Sequence, residues 1–253
     1  MPTIEEIRTA IGNAATGQRV VVVAQTFLQR WPSASQPVLV SGDDGRTYVV
    51  KGSQNRKMIV AEHVVGRLGQ LLGAPVGEVA FASIPNELKA IEPNVQHIGG
   101  GIAHATLWIP GCTEREGLTH VAHPYNHRRF ALLAALYSWA VAGDHQCIYS
   151  KGEPYEVYSV DHGHFFPGGP NWTLDSLNQA PLVQLDPWFA QCNLPGAMMA
   201  EARHQLESIT DDDVNLIVSG PPDEWEFSEA ERDALRVYLR RRRQELIALL
   251  AAN

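Results

Sequence analysis

A change of pattern at Pro110-Gly111 is the feature that most constrains what this chain can fold into. Before it, strand patterns dominate: Arg19–Ala24 is a β-branched run, and an Asp-Gly turn inside Pro37–Lys51 predicts a hairpin. Beyond it, helical patterns dominate. We therefore predict a single α+β domain with two lobes, a small β-rich N-lobe at residues 1–109 and a mostly helical C-lobe at residues 110–253.

One main helix interrupts the strands of the predicted N-lobe. Residues Met58–Gly73 carry an apolar face with helical spacing and end on a glycine. A capping-box pattern at the start of the chain predicts a short helix at residues 3–15. Two further strands are predicted at Pro75–Ile84 and His104–Ile109, and the segment between them, 85–101, is predicted to be a connection containing Gly and Pro.

Helices make up most of the predicted C-lobe. The first of them is apolar nearly all round, which predicts that it is buried. The last carries Arg240–Arg243 beside a stripe of leucines, so we expect these arginines to cover its solvated face and not to bind nucleic acid. The predicted helices are Asn126–Ala142, Pro187–Ala190, Gly196–Ser208, Thr210–Val218 and Ser228–Ala252.

The composition is that of a globular protein, with 45% hydrophobic and 19% charged residues among 253. A net charge of −8 gives no support for a nucleic acid or a membrane surface as the partner. The longest apolar run, Ala131–Ala142, is too short to span a bilayer, and the first residues lack the blocks of a signal peptide. Three scattered cysteines fit a reducing compartment. We therefore expect a cytoplasmic protein, and the sequence leaves its oligomeric state open.

Lys51 is the first candidate for chemistry, because it ends a predicted strand beside a turn whose amides suit an anion. A solvated lysine at a strand end would show the same pattern. Glu62 favours the functional interpretation, since it is the only acid between Asn55 and Ala74, on the helix that follows. A strand lysine that binds phosphate is held by a helix carboxylate in this kind of site, so we expect Lys51 and Glu62 to pair. The alternative for Glu62 is an ordinary exposed helix residue.

Two aspartates follow in the predicted C-lobe. Asp144 lies just past the buried helix, where Gly143 ends it, and Gln146 could supply an amide oxygen to a cation; a capping role for Asp144 is equally open. Asp161 follows a short apolar strand, and Gly163 permits an unusual backbone just after it. Mg²⁺ is typically held by one or two carboxylates together with substrate phosphates. The order lysine, aspartate, aspartate is also the order of parts in a kinase-like phosphoryl-transfer site.

Histidines raise a rival hypothesis. Six of the ten fall within one 45-residue stretch, and Asp161–His164 resembles a short cluster of zinc ligands. No pair has the spacing of a zinc-binding HExxH helix, and Pro124 separates His123 from His127. A histidine-bound metal is retained as an alternative, and histidines that orient acids or substrate groups fit the pattern better.

Taken together, these motifs resemble the HipA-like kinase family, in particular its small stand-alone proteins. The matching segments extend through nearly the whole chain, and their order is more specific than any one of them. They are Tyr48–Gly52, the Glu62 helix with Leu72–Val76, Trp139 with Gly143–Gln146, Val160–Phe166, and Pro221–Trp225 before the arginine-rich last helix.

The resemblance implies a two-lobed protein-kinase-like fold, related to lipid and protein kinases, that binds ATP and Mg²⁺ in the cleft between its lobes. It implies that Lys51 contacts the phosphates and that Glu62 anchors this lysine. Asp144 would be the catalytic-loop acid that accepts the proton of the acceptor hydroxyl, and Asp161 would hold the metal. The hinge residues that would offer backbone groups to adenine are Leu107, Trp108 and Ile109.

The sequence departs from the family pattern at two places. Five residues after Asp144, where the family has a metal-binding Asn, this chain has Tyr149, so either Gln146 is a shifted metal ligand or the second metal is missing. The turn expected to cover the phosphates, Gly42–Gly45, contains Asp43 and Asp44. Two acids near a triphosphate are unfavourable unless they point away or meet the metal.

These departures keep other functions open. One is a degenerate kinase fold that binds a nucleotide or a partner without phosphoryl transfer. Another is nucleotidyl transfer on the same fold. The acceptor, whether a protein, a peptide or a small molecule, is not identified by the sequence.

Overall fold

Five strands in the first half of the chain close into a barrel. They are β1 (Val21–Arg30), β2 (Val38–Gly42), β3 (Thr47–Lys51), β4 (Val79–Ser83) and β5 (Ala103–Leu107) in the computed structural model, which describes residues 2–252. The order around the barrel is β1-β2-β3-β5-β4, and parallel pairing of β1 with β4 closes it. The predicted hairpin is formed by β2 and β3, with Val38 opposite Val50 and Ser41 opposite Thr47.

The barrel has its own small hydrophobic core. Along a strand, successive side chains point to opposite faces, so alternate residues fill the interior of a small barrel. Val38, Val40, Tyr48 and Val50 on β2 and β3 are fully buried in this way. β1 extends to Arg30, past the predicted end at Ala24, because its polar and largely exposed second half pairs with β2 and carries no apolar pattern.

Three helices accompany the barrel. They are α1 (Ile4–Ala15), α2 (Lys57–Leu72) and α3 (Asn86–Ile91). The capping box of Thr3 and Glu6 is present at the start of α1, and α2 ends at Gly73 in the left-handed conformation with φ 72°. α3 is a short helix that lies within the segment predicted to be a connection, so that prediction was wrong there.

The second half of the chain contains six helices and a small sheet. The helices are α4 (Pro124–Ala140), α5 (Leu174–Asn178), α6 (Pro187–Ala190), α7 (Gly196–Ser208), α8 (Asp211–Ser219) and α9 (Glu229–Ala251). The sheet has the order β6 (Cys112–Glu114), β7 (Cys147–Ser150) and β8 (Val157–Ser159), with antiparallel pairing. Of these strands the sequence predicted only β8. Strands of three or four residues are too short to show a periodic pattern, and α5 is missed for the same reason.

A large helical core holds the rest of the molecule together. α4 is buried along nearly its whole length, as predicted, and packs against α2, α7 and α9. α2 is also buried nearly all round, and its apolar side chains belong to this core and not to the barrel interior. Because α2 starts just after β3, it connects the barrel to the helical core. Within residues 2–252, no helix combines the length and the apolar character needed to cross a bilayer.

The arginines of α9 do not all cover a solvated face, contrary to the prediction. Arg242 and Arg243 are 2% and 9% exposed. Arg242 donates to the carbonyl oxygens of Ser138 and Trp139, at 2.8 and 2.9 Å, in the last turn of α4. Arg243 donates to the carbonyl of Ile209. A cation is favourable at a helix C-terminus, where backbone carbonyls lack partners, and this explains the burial of Arg242.

Candidate functional site

A cleft of about 490 Å³ lies where the barrel faces the β6–β8 sheet. β3, β4, β5 and α2 contribute one wall, and β6, β7 and the segment after β8 contribute the other. Its volume falls within the range of small-molecule sites, about 300–1,000 Å³. Of the residues singled out from the sequence, the lining includes Lys51, Glu62, Leu107, Trp108, Ile109, Gln146 and Asp161.

Three charged side chains meet inside this cleft. Lys51 Nζ donates to Glu62 Oε1 and, at 2.7 Å, to Asp161 Oδ1. The three come from different elements: the end of β3, the middle of α2, and the segment after β8. Lys51 and Glu62 are 5% and 4% exposed, whereas the Asp161 side chain keeps 24% of its surface open. Asp161 is therefore the member of this charged triad that faces the open cleft.

The triad has one positive and two negative groups. Burial alone would lower the pKa of Lys51, but the charges of Glu62 and Asp161 outweigh it and raise this pKa above its ordinary value. The pKa of Asp161 is raised, first by burial and then by the neighbouring Glu62 charge, although Lys51 opposes the shift. One ammonium thus leaves the second carboxylate incompletely compensated. A cation at Asp161 would remove this excess negative charge.

The backbone around Asp161 is unusual at the aspartate itself. Asp161 has φ 57°, in the left-handed region that few residues other than glycine adopt. The sequence analysis predicted the unusual backbone at Gly163, but Gly163 has an ordinary negative φ. A Cβ at this position would lie 3.3 Å from Met58 Cβ on α2. Gly163 therefore permits close packing against α2, and Asp161 bears the backbone strain.

Gly143 has a similar packing role. The helix before it ends at Ala140, and Val141 with φ 60° turns the chain, so Gly143 does not itself end the helix. A Cβ on Gly143 would lie 2.3 Å from the carbonyl oxygen of His164, to which the Gly143 N–H donates at 3.1 Å. Only glycine allows this approach. It brings the Asp144 loop alongside the Asp161 loop.

Asp144 lies next to the cleft and does not line it. Its Oδ1 accepts from the His145 N–H at 2.8 Å, and its Oδ2 accepts from Gln146 Nε2 at 3.0 Å. Gln146 does line the cleft, and because its amide nitrogen faces Asp144, its amide oxygen remains as an acceptor. The structure thus presents Gln146 to the cleft with Asp144 behind it.

Tyr149 points away from the cleft. It is fully buried on the face of β7 opposite Ile148, and Ile148 lines the cleft. The Tyr149 hydroxyl accepts from the Thr119 N–H at 3.0 Å and lies 3.4 Å from the carbonyl of Gly117. The position where an Asn was expected is therefore part of the packing beneath the sheet.

The turn predicted to cover the phosphates lies at the wrong end of the hairpin. Gly42–Gly45 connects β2 to the start of β3, whereas Lys51 lies at the end of β3. Asp43 accepts from the Val23 N–H, and Asp44 pairs with Arg46 and accepts from the Tyr48 hydroxyl. These acids therefore do not oppose an anion at Lys51. The pairing of Val38 with Val50 instead brings the β1–β2 connection close to Lys51.

Two of the three N–H groups in the predicted hinge already donate to backbone carbonyls. The Leu107 N–H donates to the Glu78 carbonyl at 2.8 Å, and the Trp108 N–H donates to the Thr47 carbonyl at 2.9 Å. These two N–H groups therefore already have acceptors within the protein. Ile109 and the carbonyl oxygens remain as the hinge groups that could meet a base.

Several residues of the site carry no signal in the sequence. Trp31 and Ser33, in the β1–β2 connection, line the cleft, and Trp31 lies 5.9 Å from Trp108 between ring centroids. Asp186 is buried and accepts from His145 Nε2, 3.0 Å from both carboxylate oxygens. Trp31 lies 77 residues from Trp108, and Asp186 lies 41 residues from His145. Contacts over such separations leave no local pattern.

The histidine-rich stretch does not gather into one cluster. His162 Nε2 lies 2.8 Å from Ser159 Oγ, which is 2.7 Å from the Tyr137 hydroxyl. His120 stacks on Tyr155 instead. In the described part of the chain, no three His, Cys, Asp or Glu side chains lie together as a set that could hold a metal ion. His162 and His120 are thus engaged in hydrogen bonding and ring stacking, respectively.

The HipA-like kinase family model matches residues 25–135 of this chain. The resemblance expected from the motifs is thereby confirmed over this region. The region includes Lys51, Glu62 and the hinge, and it ends before Asp144 and Asp161. A search of curated proteins found no match.

Solved structures of kinases were found among the structures similar to this chain. The crystal structure of the Helicobacter pylori proinflammatory kinase CtkA aligns with a TM-score of 0.59 at 13% identity, covering 92% of this chain and 98% of that one. A Golgi casein kinase aligns with a TM-score of 0.49 at 9% identity, covering 100% of this chain and 78% of that one. The alignment with CtkA shows that the fold is kinase-like, and the lower score carries no further weight.

Proposed function

We propose that this protein is a kinase-like phosphotransferase that binds ATP with Mg²⁺ in the cleft and transfers the γ-phosphoryl group to a hydroxyl acceptor. The observation that supports this most is the charged triad, in which Lys51 contacts both Glu62 and Asp161. Phosphoryl transfer requires mainly positioning and neutralisation of charge. A buried lysine whose pKa is raised by its two carboxylate neighbours, and which a helix carboxylate holds, would supply the fixed part of that neutralisation.

Asp161 and Gln146 are the residues that would hold the metal. Both line the cleft, and both offer oxygen atoms, which Mg²⁺ prefers. Burial, and after it the Glu62 charge, raise the pKa of Asp161 despite Lys51, and a bound cation would favour the charged carboxylate. When bound, the metal would neutralise charge that develops on the phosphate oxygens. Lys51 donates to Oδ1 of Asp161 and holds the carboxylate in place.

The base of the nucleotide would lie near the hinge, between apolar walls. Val49, Val79 and Ile148 line the cleft, and Trp31 and Trp108 are close to each other along its lining. Apolar walls with a few polar groups are typical of such sites. The hinge carbonyls and Ile109 would then orient the base.

We assign to Asp144 the role of the base that activates the acceptor hydroxyl. It would take the proton of the acceptor hydroxyl as the oxygen bonds to the γ-phosphorus, while the bond to the leaving ADP oxygen breaks. Its hydrogen bonds to the His145 N–H and to Gln146 hold it in place. For this step its carboxylate has to become accessible from the cleft, which requires Gln146 to move toward a cation.

The test is ATP turnover in wild type and in Asp161→Asn, with Asp233→Asn as the matched control because its side chain is 74% exposed. Removing a group that stabilises transition-state charge costs about 10²–10³ in rate. We expect Asp161→Asn to lose at least about a hundredfold in Mg²⁺-dependent release of γ-phosphate and Asp233→Asn to be unaffected. Turnover near the wild-type rate in a folded Asp161→Asn variant would remove Asp161 from the mechanism.

A nucleotide-binding module without transfer is the second candidate. It is favoured by one observation: Asp144 does not line the cleft and its two oxygens are engaged. A thermal-shift titration with ATP separates the two candidates, because a ligand that binds only the folded state raises the melting temperature. A Mg²⁺-dependent shift with no turnover would favour the module. Transfer of label from α-labelled but not γ-labelled ATP would indicate nucleotidyl transfer instead.

A further inference from the structure

A second cavity, of about 430 Å³, lies beside α2 and is lined by Arg67 and Gln70 of that helix. Its walls come from α1, the start of β1, the start of β4 and α2. Val79 lines both this cavity and the cleft, so the two are neighbours in the fold. None of the functional residues predicted from the sequence lies in this α1–α2 cavity.

Arg67 of α2 lines the cavity and lacks a counter-ion. It is 6% exposed, yet no carboxylate among residues 2–252 forms an ion pair with it. A terminal guanidinium nitrogen of Arg67 donates to Gln70 Oε1 at 3.2 Å, and the buried Nε of Arg67 has no hydrogen-bond partner. Burial lowers the pKa of Arg67 to about 10, so the guanidinium remains charged at neutral pH. The Glu78 charge acts in favour of the charged form without forming an ion pair with Arg67, and a buried charge with so little compensation is costly to a folded protein.

Of the other charged groups that line the cavity, Glu5 is exposed to solvent, and the rest already have partners. Glu78 pairs with Arg46, with 3.1 Å between the Glu78 Oε1 and an Arg46 amine nitrogen, and Arg46 also pairs with Asp44. Glu6 accepts from the Thr3 N–H at 2.7 Å in the capping box of α1. Arg19 donates to the Gly220 carbonyl and lies over the Phe81 ring. Arg67 is therefore the cation with the greatest unmet capacity to bind an anion.

We propose that the α1–α2 cavity binds a small organic anion through Arg67. A planar oxyanion, such as a carboxylate or a phosphate ester, matches the fork of the guanidinium and would satisfy both its charge and its free donors. The ligand is organic because the cavity is much larger than an inorganic ion and much of its wall is apolar. The apolar side chains in that wall include Ile7, Ala10, Val22, Val79 and Phe81.

The probes for the test share one ring and differ in the group they carry: benzoate, phenyl phosphate and uncharged benzyl alcohol. Binding is measured by isothermal titration calorimetry and by thermal unfolding, at constant ionic strength set with sodium chloride. We expect benzoate or phenyl phosphate to bind and raise the melting temperature, and benzyl alcohol to do neither. The anion that binds more tightly shows whether the cavity prefers a carboxylate or a phosphate ester. If neither binds the wild-type protein, the proposal is wrong.

Arg67→Met separates an anion site from a structural role for the arginine. It removes a buried charge without a partner, so the ligand-free variant should melt at the wild-type temperature or above it. Arg67→Met should also lose the rise in melting temperature that the anion produces. The control is Arg241→Met on α9, where the side chain is 42% exposed, and this variant should keep that rise. An anion-dependent shift that persists in Arg67→Met would place binding elsewhere, for instance at Lys51, and would overturn the assignment.

Arg67→Lys provides a test that does not depend on removing the charge. Lysine keeps the positive charge but presents a point charge in place of a planar fork. Affinity for the anion should fall at least about tenfold, the loss expected for one charged hydrogen bond. Unchanged affinity in this variant would also contradict recognition by the guanidinium. These outcomes are independent of the proposed function, because none of them requires that the cleft bind ATP.

Discussion

At the scale of single residues, the site is defined by one lysine shared between two carboxylates. The sequence could predict that Lys51 and Glu62 would meet, because a strand lysine and the only acid of the next helix are close in the chain. It could not predict the contact with Asp161, which is 110 residues away in sequence. Nor could it place Asp161 in the left-handed region, since that conformation is imposed by the surrounding packing.

His162 should make the stability of the protein depend on pH. Its pKa is lowered to about 4, first by burial and then by the Lys51 charge, whereas a histidine in an unfolded chain has a pKa near about 6.5. Between these values the unfolded state binds more protons, so the free energy of unfolding falls as the pH is lowered through this window. Asp161, with its raised pKa, acts in the opposite direction and offsets part of this loss.

His162→Gln isolates the contribution of this histidine. Near pH 5 we expect the slope of the unfolding free energy against pH to decrease by up to about 1.4 kcal/mol per pH unit, the effect of one proton. The measurement is urea unfolding between pH 4 and 7. His204→Gln, at a side chain that is 65% exposed, is the control and should keep the wild-type slope. Equal slopes for wild type and His162→Gln would show that this ring is not kept neutral by burial.

At the scale of elements, helices were predicted best where their apolar pattern is long. α2, α4, α7, α8 and α9 all lie within two residues of the predicted ends. The prediction that all the arginines of α9 face solvent was wrong for Arg242 and Arg243. It followed from the usual expectation that a charged side chain on an amphipathic helix is exposed. What brings Arg242 inside is the C-terminus of α4, whose carbonyls are 103 and 104 residues away.

Arg242→Met should destabilise the protein through the end of α4. The change leaves the carbonyls of Ser138 and Trp139 without their donor and removes a favourable charge from the helix C-terminus. We expect a loss of about 2–4 kcal/mol in the free energy of unfolding, measured with urea. Arg241→Met, one residue away on the exposed face of α9, should change it by less than about 0.5 kcal/mol. If Arg242→Met and Arg241→Met lowered the free energy of unfolding equally, the contacts of the buried Arg242 would not be the source of its contribution to stability.

At the scale of the whole molecule, the protein has two hydrophobic cores joined by α2. Val50 lies fully buried in the barrel, and Leu136 lies fully buried in the helical core. The sequence predicted an α+β fold correctly but not the closure of the barrel. Closure depends on parallel pairing of β1 with β4, about sixty residues apart, and strand patterns do not specify their partners.

Hydrogen exchange should show whether the two cores open separately. Val50→Ala should cost about 2 kcal/mol and Leu136→Ala about 2–5 kcal/mol, from lost burial and the cavity left behind. We expect Val50→Ala to accelerate amide exchange mainly in the barrel strands and Leu136→Ala mainly in α4 and α9. If each variant accelerated exchange uniformly, the cores would form a single cooperative unit.

Closure of the barrel also restricts how another polypeptide can attach. Since β1 pairs with β4 through Val21–Val23, that part of β1 presents no open row of N–H and C=O groups for an added strand, whereas the rest of β1 pairs with β2 alone. In the small sheet β8 is bridged to Val76, whereas β6 lies at the other end of the strand order and its residues line the cleft. An extended peptide that docked on β6 by β-augmentation would be anchored directly beside the cleft.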